Sequence, residues 1–277
     1  MKHVIKGLIV IGLLMQANLL LADIFRSQDT SGNVSFSDQP SENSTLVKPA
    51  VRAYRYKHHV ARVYDGDTIV LKNGEHVRLL GINTPEIESR HREGAAGGQM
   101  AKKWLKDKLQ QKSVFLEYDQ QQHDKYDRLL AHLFLPSGEY LNAGLLTAGL
   151  AHLSVIPPNL RYLDELQKAE NDAQQAGRGI WSMMEYQPQV VTTQTKEFKR
   201  SGWQRFVATP IQIKQGRKYV RLILTDKMDI RISKDNLTLF PDLKSYLGQS
   251  LEIRGWSSRN KDHYSILVRH PSAIIVH

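Results

Sequence analysis

Hydrophobic and polar positions alternate in short runs through the middle of the chain, a pattern typical of half-buried strands. Asn73 and Gly74 separate two of these runs and are typical of a tight hairpin turn. Apolar residues at helical spacing follow the third run and recur twice further on, the last time up to Gly177, a residue type that commonly ends helices. The pattern predicts five strands, at residues 60–63, 68–72, 75–80, 113–118 and 129–135, and three helices, at residues 94–111, 141–150 and 162–176. Five strands with helices after the third predict a mainly β fold with helices (α+β), an OB-type five-stranded barrel over residues 58–184.

A second strand-rich segment follows a polar stretch at residues 185–200, which is predicted to be a linker. Its alternating runs begin at Trp203, and residues 237–247 have the spacing of a short helix. The predicted strands lie at residues 203–209, 218–224, 229–232, 250–256, 264–268 and 273–276. Residues 201–277 are therefore predicted to form a second, small β-barrel-like (OB-like) domain.

The first 22 residues differ from the rest of the chain in combining a basic start with a long apolar run. Lys2, His3 and Lys6 lead into the apolar residues 7–21, and Ala22 is a small residue suited to a cleavage site. This order predicts a secretory signal peptide over residues 1–22 and hence a secreted or periplasmic protein. The apolar run is short for a membrane span, with an uncleaved anchor as the alternative.

Residues 23–57 have a more polar pattern. Ser31, Gly32 and Asn33 form a predicted turn between two short strands, and residues 44–57 are predicted to be a linker. The hairpin resembles a small N-terminal module of bacterial envelope proteins, and no chemistry is assigned to it.

Charge and cysteine content narrow the function classes. The formal net charge of +10 favours a polyanionic partner, either nucleic acid or an anionic membrane surface. The chain has no cysteine, which excludes thiol nucleophiles, disulfides and thiolate zinc sites.

Candidate chemistry is concentrated in residues 62–86. This stretch contains an acidic turn, a returning hairpin strand and an acidic loop, with Asp65-Gly66-Asp67-Thr68, Arg78, and Asn83-Thr84-Pro85-Glu86 in that order. Oxygen ligands suit a hard cation, and a guanidinium binds phosphate oxygens. One folding unit thus supplies the groups that metal-assisted chemistry on a phosphate requires. Taken singly, the aspartates are more often turn residues and Arg78 a solvated strand residue.

Further motifs follow this stretch in a characteristic order. They are Asp-Gly-Asp-Thr at 65–68, Arg-Leu-Leu-Gly-Ile-Asn-Thr-Pro-Glu at 78–86, Asp-Lys-Tyr-Asp-Arg at 124–128, Gly-Leu-Ala at 149–151 and Gly-Ile-Trp at 179–181. In this order the motifs resemble the staphylococcal nuclease (thermonuclease) family over about residues 58–182.

The resemblance implies a metal site with oxygen ligands. Asp67 matches the family's carboxylate ligand of Ca²⁺, Asn83 its second carboxylate ligand and the Thr84 backbone carbonyl a third, with Asp65 beside the metal. Most family members have aspartate where this chain has Asn83, and the loss of that charge is expected to weaken calcium binding. Mg²⁺ or another divalent cation is the alternative.

The resemblance also implies how a phosphate is held and attacked. Arg78 and Arg128 match the arginines that grip the scissile phosphate, and Glu86 matches the acid that orients or deprotonates the attacking water. Lys125 and Tyr126 match residues that contact the nucleotide. Physical chemistry supports these roles, because forked guanidinium donors stabilise charge that develops on phosphate oxygens and a carboxylate accepts a proton from water.

In the third motif, Asp127 replaces the family's usual glycine. A position that favours glycine is expected to have positive φ, which aspartate tolerates better than most residues. Residues 153–158 lack the tyrosines that pack on the bound base in the best-known family member, which leaves base stacking open.

The expected activity is hydrolysis of DNA and RNA with little sequence specificity, leaving 3′-phosphate ends, by a monomer. One alternative is a non-catalytic nucleic-acid-binding protein that keeps the barrel without the metal. Another is an envelope scaffold whose barrel binds a protein partner.

Two groups of residues lie outside this constellation. Three histidines lack metal-ligand spacing and are predicted to be surface or packing residues, namely His123, His132 and His152. Trp203 and Trp256, with Arg205 and Arg254, could form a stacking and phosphate-binding patch, although core positions are the favoured interpretation for the tryptophans.

Overall fold

The structure is a computed structural model, and it groups the chain into two compact units, Met1–Arg52 and Ala53–His277. The predicted signal peptide and the predicted turn at residues 31–33 lie outside the described residues. Among the described residues, no helix has the length and apolar character needed to cross a membrane. The described residues are 24–28, 34–41, 44–47, 54–88, 94–110, 113–192 and 202–277.

The first unit contains a three-stranded antiparallel sheet of β1 (Ile24–Gln28), β2 (Val34–Ser37) and β3 (Thr45–Val47) in the order β2-β1-β3. The first two strands are those of the predicted hairpin. The third lies within residues 44–57, which the sequence pattern assigned to a linker because the run is only three residues long.

The second unit begins with a closed five-stranded barrel, as predicted. The strand order around the barrel is β4-β5-β6-β9-β8, and two further short strands, β7 and β10, pair with each other outside it. The strands are β4 (Arg55–Val63), β5 (Thr68–Leu71), β6 (His76–Leu79), β7 (Ile82–Asn83), β8 (Ser113–Glu117), β9 (Leu129–Phe134) and β10 (His152–Leu153). The helices are α1 (Gly98–Lys108), α2 (Leu141–Thr147) and α3 (Leu163–Gln175).

The barrel closes because β4 pairs with two partners. Its first half pairs with β8 and its second half with β5, with an irregularity between Val60 and Arg62 that bends the strand. Along β6, Val77 and Leu79 are fully buried and alternate with the partly exposed Arg78. Because strand side chains alternate between faces, packing Val77 and Leu79 inward turns Arg78 outward.

Helix α2 secures the end of β6 through a buried amide. Asn142 has no solvent exposure, and its Nδ2 donates to the Leu80 carbonyl at 2.8 Å while its Oδ1 accepts from the Leu133 N–H at 2.9 Å. A buried amide with donor and acceptor both satisfied fixes the backbone it contacts. The loop after Leu80, which contains the candidate site, therefore starts from a fixed position.

The C-terminal part of the second unit is a curled eight-stranded sheet around its own core, with the path β11-β12-β16-β17-β15-β14-β13 and β18 paired with β16. Two short 3₁₀ turns, Lys234–Leu239 and Leu243–Tyr246, replace the single predicted helix. Pro241 lies between them and cannot continue a helix. The strands are β11 (Gln189–Val190), β12 (Trp203–Ala208), β13 (Gln212–Gln215), β14 (Tyr219–Thr225), β15 (Met228–Ser233), β16 (Leu251–Asn260), β17 (His263–Val268) and β18 (Ile274–Val276).

Two of these strands were not predicted. β11 lies within residues 185–200, the predicted linker, and consists of only two residues paired in parallel with β12. β13 is an edge strand of mostly exposed polar residues, so it has no apolar alternation to detect.

A buried ion-pair network joins the barrel domain to the C-terminal sheet. Glu170 of α3 accepts from the Arg254 guanidinium at 2.7 Å and from the Leu153 N–H at 2.6 Å. Arg254 also donates to Glu252 at 2.6 Å, and Glu252 forms a bidentate pair with Arg205 at 2.8 Å for both bonds. The sequence makes both arginines candidates for phosphate contact, but the structure buries them as partners of these carboxylates.

A separate buried carboxylate, Glu117, anchors the far end of β8. Its oxygens accept from Arg161 and Tyr162 at 2.9 Å and from Arg55 at 3.1 Å. Burial alone would raise the pKa of Glu117, but the hydrogen bonds from Arg161, Tyr162 and Arg55 outweigh it and lower the pKa below the ordinary value of 4.5.

Replacing this carboxylate with an amide, Glu117→Gln, is expected to lower the free energy of unfolding by about 2 kcal/mol at pH 7. Because the folded-state pKa is depressed, the carboxylate's contribution is fully present above about pH 4.5 and is lost as the pH falls through the folded-state pKa. Urea unfolding of variant and wild type at pH 7 and at acidic pH measures both effects.

The matched control is Glu139→Gln, which breaks an exposed pair with Lys108 and is expected to cost less than about 1 kcal/mol. A Glu117→Gln variant that unfolds like the control at pH 7 would show that the network contributes nothing.

Candidate active site

The acidic turn between β4 and β5 is closed by its own side chains. The Asp67 N–H donates to Asp65 Oδ1 at 3.1 Å, and the Asp65 N–H donates to the Thr68 carbonyl at 3.3 Å. An aspartate that accepts from the N–H two residues on is the turn chemistry expected of this residue type. The turn therefore orients both carboxylates before any ligand binds.

Gly66 lets this turn pack against its neighbours. A Cβ at position 66 would lie 2.6 Å from the Ala101 Cβ on α1 and 2.7 Å from Thr84 Oγ1. Both distances are shorter than real carbon contacts, so a larger residue would push the turn away from α1 and from the loop after β7. Glycine is needed here for space.

The Asp67 carboxylate lies at the centre of the site and is only 5% exposed. Its Oδ1 accepts from the Thr68 hydroxyl at 3.1 Å, and its Oδ2 accepts from the Thr84 N–H at 2.8 Å. The same Oδ2 is 3.0 Å from Arg78 Nη2. A buried carboxylate with three such partners is held in one orientation.

Arg78 connects this carboxylate to the loop after β7. Its Nη2 donates to Asn83 Oδ1 at 2.7 Å, and its Nη1 donates to the Leu79 carbonyl at 2.9 Å. The Asn83 amide Nδ2 in turn donates to the Thr84 carbonyl at 2.9 Å. Four of the sequence-predicted site residues, Asp67, Arg78, Asn83 and Thr84, thus form one hydrogen-bonded cluster.

Asp65 lies beside the cluster, and its pKa is raised above the ordinary value. Burial, together with the adjacent charge of Asp67, raises the pKa of the Asp65 carboxyl to about 6. Two carboxylates in a partly dehydrated site repel each other, and a positive charge nearby relieves that repulsion.

The loop residue Glu86 is positioned by the start of α1. Its carbonyl accepts from the Ala95 N–H at 2.8 Å, and a Cβ at Gly98 would lie 2.6 Å from that carbonyl. The backbone of Glu86 is therefore packed directly against the first turn of the helix. The residue is partly exposed and lies in the loop after β7, three positions after Asn83.

Arg128 immediately precedes a different strand, β9. β6 and β9 pair in parallel with Arg78 opposite Leu130, so Arg128 lies two positions before the residue opposite Arg78, at the start of the neighbouring strand. Its guanidinium pairs with Asp124 at 2.6 and 2.8 Å. The structure thus brings Arg128 to the neighbouring strand and holds its guanidinium on Asp124, whereas that of Arg78 is on Asp67.

The turn before β9 presents the two remaining predicted residues to solvent. Tyr126 is 68% exposed, with the Lys125 ammonium 4.8 Å from its ring centre. Asp127 has φ 62°, which confirms the positive φ expected where the family has glycine.

Two residues at the site were not predicted to contribute to it, His152 and Trp203. β7 and β10 pair so that His152 lies opposite Asn83, and its Nε2 is 3.3 Å from Asn83 Nδ2. The Trp203 ring, from the C-terminal sheet, stacks on the imidazole with centroids 4.0 Å apart and 16° between the planes. His152 is a packing residue, as expected, but it packs directly behind the Asn83 side chain.

Burial determines the protonation state of this histidine. It lowers the pKa of His152 to about 3, so the imidazole is neutral at neutral pH. A neutral ring accepts at Nε2 from the Asn83 amide and has its proton on Nδ1, 3.3 Å from the Leu153 carbonyl. This arrangement keeps the Asn83 amide nitrogen toward His152 and its oxygen toward Arg78. The sequence shows no sign of this arrangement, because Asn83 and His152 are far apart in the chain and the ring that covers His152 comes from the C-terminal sheet.

The donor set fits a hard divalent cation. The candidate ligands are the Asp67 carboxylate, the Asn83 amide oxygen and the Thr84 carbonyl, with Asp65 nearby, and all are oxygens. Within the described part of the chain, no three His, Cys, Asp or Glu side chains group as metal ligands. Binding of a divalent cation here would therefore depend partly on an amide oxygen and a backbone carbonyl. These two groups supply less negative charge than carboxylates would.

Comparison with known proteins identifies related sequences. The family model described as "Staphylococcal nuclease homologue" matches residues 76–183. The Thermonuclease of Staphylococcus hyicus is 32% identical over 185 residues, which cover 66% of this chain and 99% of the relative. The Thermonuclease of Staphylococcus intermedius is 39% identical over 125 residues, covering 44% of this chain and 74% of the relative. Endonuclease YncB of Bacillus subtilis is 35% identical over 130 residues, covering 45% of this chain and 61% of the relative.

The stacked histidine provides a test of the site's geometry. In the full chain, the imidazole of His152 is expected to show no NMR titration between pH 5 and 8, since its pKa is lowered to about 3. Trp203→Ala removes the stacked ring, admits water and is expected to raise the pKa of His152 toward the ordinary value of 6.5.

Trp256→Ala is the matched control, because Trp256 is the cross-strand neighbour of Trp203 but is not the ring stacked on the histidine. A wild-type His152 that titrates near 6.5, or equal shifts in the two variants, would contradict this arrangement.

Proposed function

The chain belongs to the staphylococcal nuclease family, and on that basis we propose that it is an exported, divalent-metal-dependent nuclease that hydrolyses phosphodiester bonds of DNA and RNA with little sequence specificity. In this proposal it acts as a monomer in the periplasm or outside the cell and leaves 3′-phosphate ends. The observation that carries the proposal is the cluster in which Arg78 contacts both the buried carboxylate of Asp67 and the amide oxygen of Asn83.

The cation would be held by Asp67, Asn83 and the Thr84 carbonyl, with Asp65 beside it. When bound, a hard divalent cation such as Ca²⁺ or Mg²⁺ supplies positive charge that polarises phosphoryl oxygens. The support from the structure is the all-oxygen donor set and its close hydrogen bonding, which leaves little reorganisation to bring the three groups together.

Arg78 would bind and orient the scissile phosphate. Its guanidinium is only partly exposed, so its charge acts in a site with little bulk water. Forked N–H donors match two phosphate oxygens, and they stabilise the negative charge that grows as the phosphorus is attacked. Arg128, at the start of the neighbouring strand β9, would supply the second guanidinium, exchanging its pairing with Asp124 for the phosphate.

Glu86 would accept the proton of the attacking water. The helix α1 holds its backbone, and its side chain emerges from the loop that follows Asn83. A carboxylate within hydrogen-bond reach of the attacking water can take a proton from that water as its oxygen attacks phosphorus. Lys125 and Tyr126, in the exposed turn before β9, would contact the nucleotide.

Cleavage assays test this proposal directly. The mature protein is incubated with single-stranded DNA in calcium, in magnesium, or in chelator, and cleavage is expected only with a divalent cation. Glu86→Gln is expected to lower kcat by about 10²-fold or more with little loss of substrate affinity, because a general base acts on the chemical step.

The control is Glu88→Gln, the same change at an exposed position two residues further along the loop. Equal losses of kcat and of binding in Glu86→Gln would argue against water activation. Binding without cleavage under every metal condition would favour the non-catalytic nucleic-acid-binding alternative.

The metal ligands generate a separate prediction. Asn83→Asp restores a negative charge among the oxygen donors and is expected to tighten calcium binding by about tenfold, measured by calorimetry without nucleic acid. Asn73→Asp, in an exposed hairpin turn, adds the same charge away from the site and controls for general electrostatics. Unchanged calcium affinity in Asn83→Asp would remove Asn83 from the set of ligands.

A further inference from the structure

We propose that the cleft between the barrel domain and the C-terminal sheet binds a single nucleic-acid strand outside the active site, with Trp256 stacking on a base and Arg269 contacting a phosphate. The identity of the occupant rests on the proposed function. The location of the cleft and the chemistry of its walls rest on the structure alone.

The cleft has a fixed position relative to the active site. Glu170 of α3 pairs with Arg254 of β16 at 2.7 Å, and both side chains are buried. The stack of Trp203 on His152 forms a second contact between the same two parts of the chain. Breaking a buried ion pair leaves an uncompensated charge, so the two domains are held in this arrangement.

Both domains contribute walls to the cleft. One wall runs from the end of β10, with Leu153, Ser154 and Val155, and the other contains Trp256 of β16 and Arg269, the first residue after β17. The enclosed space between them is only about 50 Å³ and the remainder is open to solvent, so an occupant would lie along the walls rather than inside a cavity.

Trp256 differs from the residues around it. Arg254, on the same strand, is 6% exposed, whereas Trp256 is 40% exposed at the cleft. A large aromatic ring that is partly in water and shares a cleft with an exposed cation is the combination that single-stranded nucleic acid binds, because bases stack on the ring and phosphates pair with the cation. A nucleic-acid base is thus a chemically suitable partner for the exposed ring of Trp256.

Charge points to the same occupant. Residues 202–277 contain 13 Lys and Arg and 6 Asp and Glu, so most of the chain's positive excess lies in this domain. Arg205 and Arg254 are already paired with Glu252 and Glu170, so they are not available to phosphate. Arg269 is exposed at the cleft and is the cation placed to contact a backbone phosphate.

The cleft begins close to the site of cleavage. In the β7–β10 pair, His152 lies opposite Asn83 and Leu153 opposite Ile82, so the wall of the cleft starts one register position from Asn83. Three extended residues span at most roughly 10 Å, so the wall formed by residues 153–155 stays within that distance of the β7–β10 pair. In this proposal one nucleic-acid strand runs from the active site along that wall to Trp256.

Binding of oligonucleotides of two lengths to the full mature chain tests the proposal. Fluorescence anisotropy in chelator measures affinity without cleavage for single-stranded DNA of about 4 and about 20 nucleotides. Trp256→Ala is expected to weaken binding of the long strand about tenfold and to leave the short strand unchanged. Trp256→Phe keeps a ring and is expected to retain most of the affinity.

Arg269→Ala tests the phosphate contact through salt. For the long strand, the slope of log affinity against log salt concentration is expected to become shallower by about 0.7. This is the change in slope that the loss of one phosphate contact produces. Arg217→Ala removes the same charge at an exposed position elsewhere in the domain and is expected to leave the slope unchanged.

The outcomes separate this proposal from the proposed function. Length-dependent binding that is lost in Trp256→Ala supports the cleft even if no metal supports cleavage. Cleavage by wild type with equal long-strand affinity in Trp256→Ala overturns the cleft and leaves the nuclease proposal intact. Equal losses for short and long strands would place Trp256 in general stability and would also overturn it.

Discussion

The buried charge of Asp67 is the constraint on which the arrangement of the site depends. A carboxylate that is only 5% exposed must be compensated, and the fold does so with the Thr84 N–H, the Thr68 hydroxyl and the Arg78 guanidinium. These partners come from three segments that are adjacent only when the barrel is closed. The energetic need to pair one carboxylate therefore draws the acidic turn, the hairpin strand and the loop after β7 into one cluster.

The same cluster extends into the C-terminal domain. The Asn83 amide contacts the His152 imidazole, and Trp203 from the C-terminal sheet stacks on that imidazole. Beside this stack, Glu170 joins Arg254 and the Leu153 N–H. An accessory domain that supplies the packing behind a site residue is part of the site's construction, since removing it would expose the buried imidazole to water and leave buried Glu170 without Arg254.

Much of the barrel could be predicted from sequence because its strands follow the alternation that burial on one face imposes. The predicted strands and helices of the barrel agree with the structure to within a few residues at their ends, except that β4 begins at Arg55, inside the predicted linker. The turn at Asn73 and the stop at Gly177 lie where local chemistry places them. β13 and β11 escaped prediction for an equally physical reason. An exposed edge strand needs no apolar face, and a two-residue strand has no period.

Local sequence determined the chemistry available in this protein, since the acidic turn, Arg78 and the loop ending at Glu86 lie within one short stretch, and aspartate at 127 was compatible with positive φ. Tertiary structure alone decided which of these groups meet and in what state. It paired Arg78 with Asp67 and Arg128 with Asp124, buried Arg205 and Arg254 as ion-pair partners, and left Trp256 exposed beside a cleft. The physical reason is that burial and pairing depend on contacts between segments far apart in the chain, and such contacts leave no periodic trace in the order of the residues.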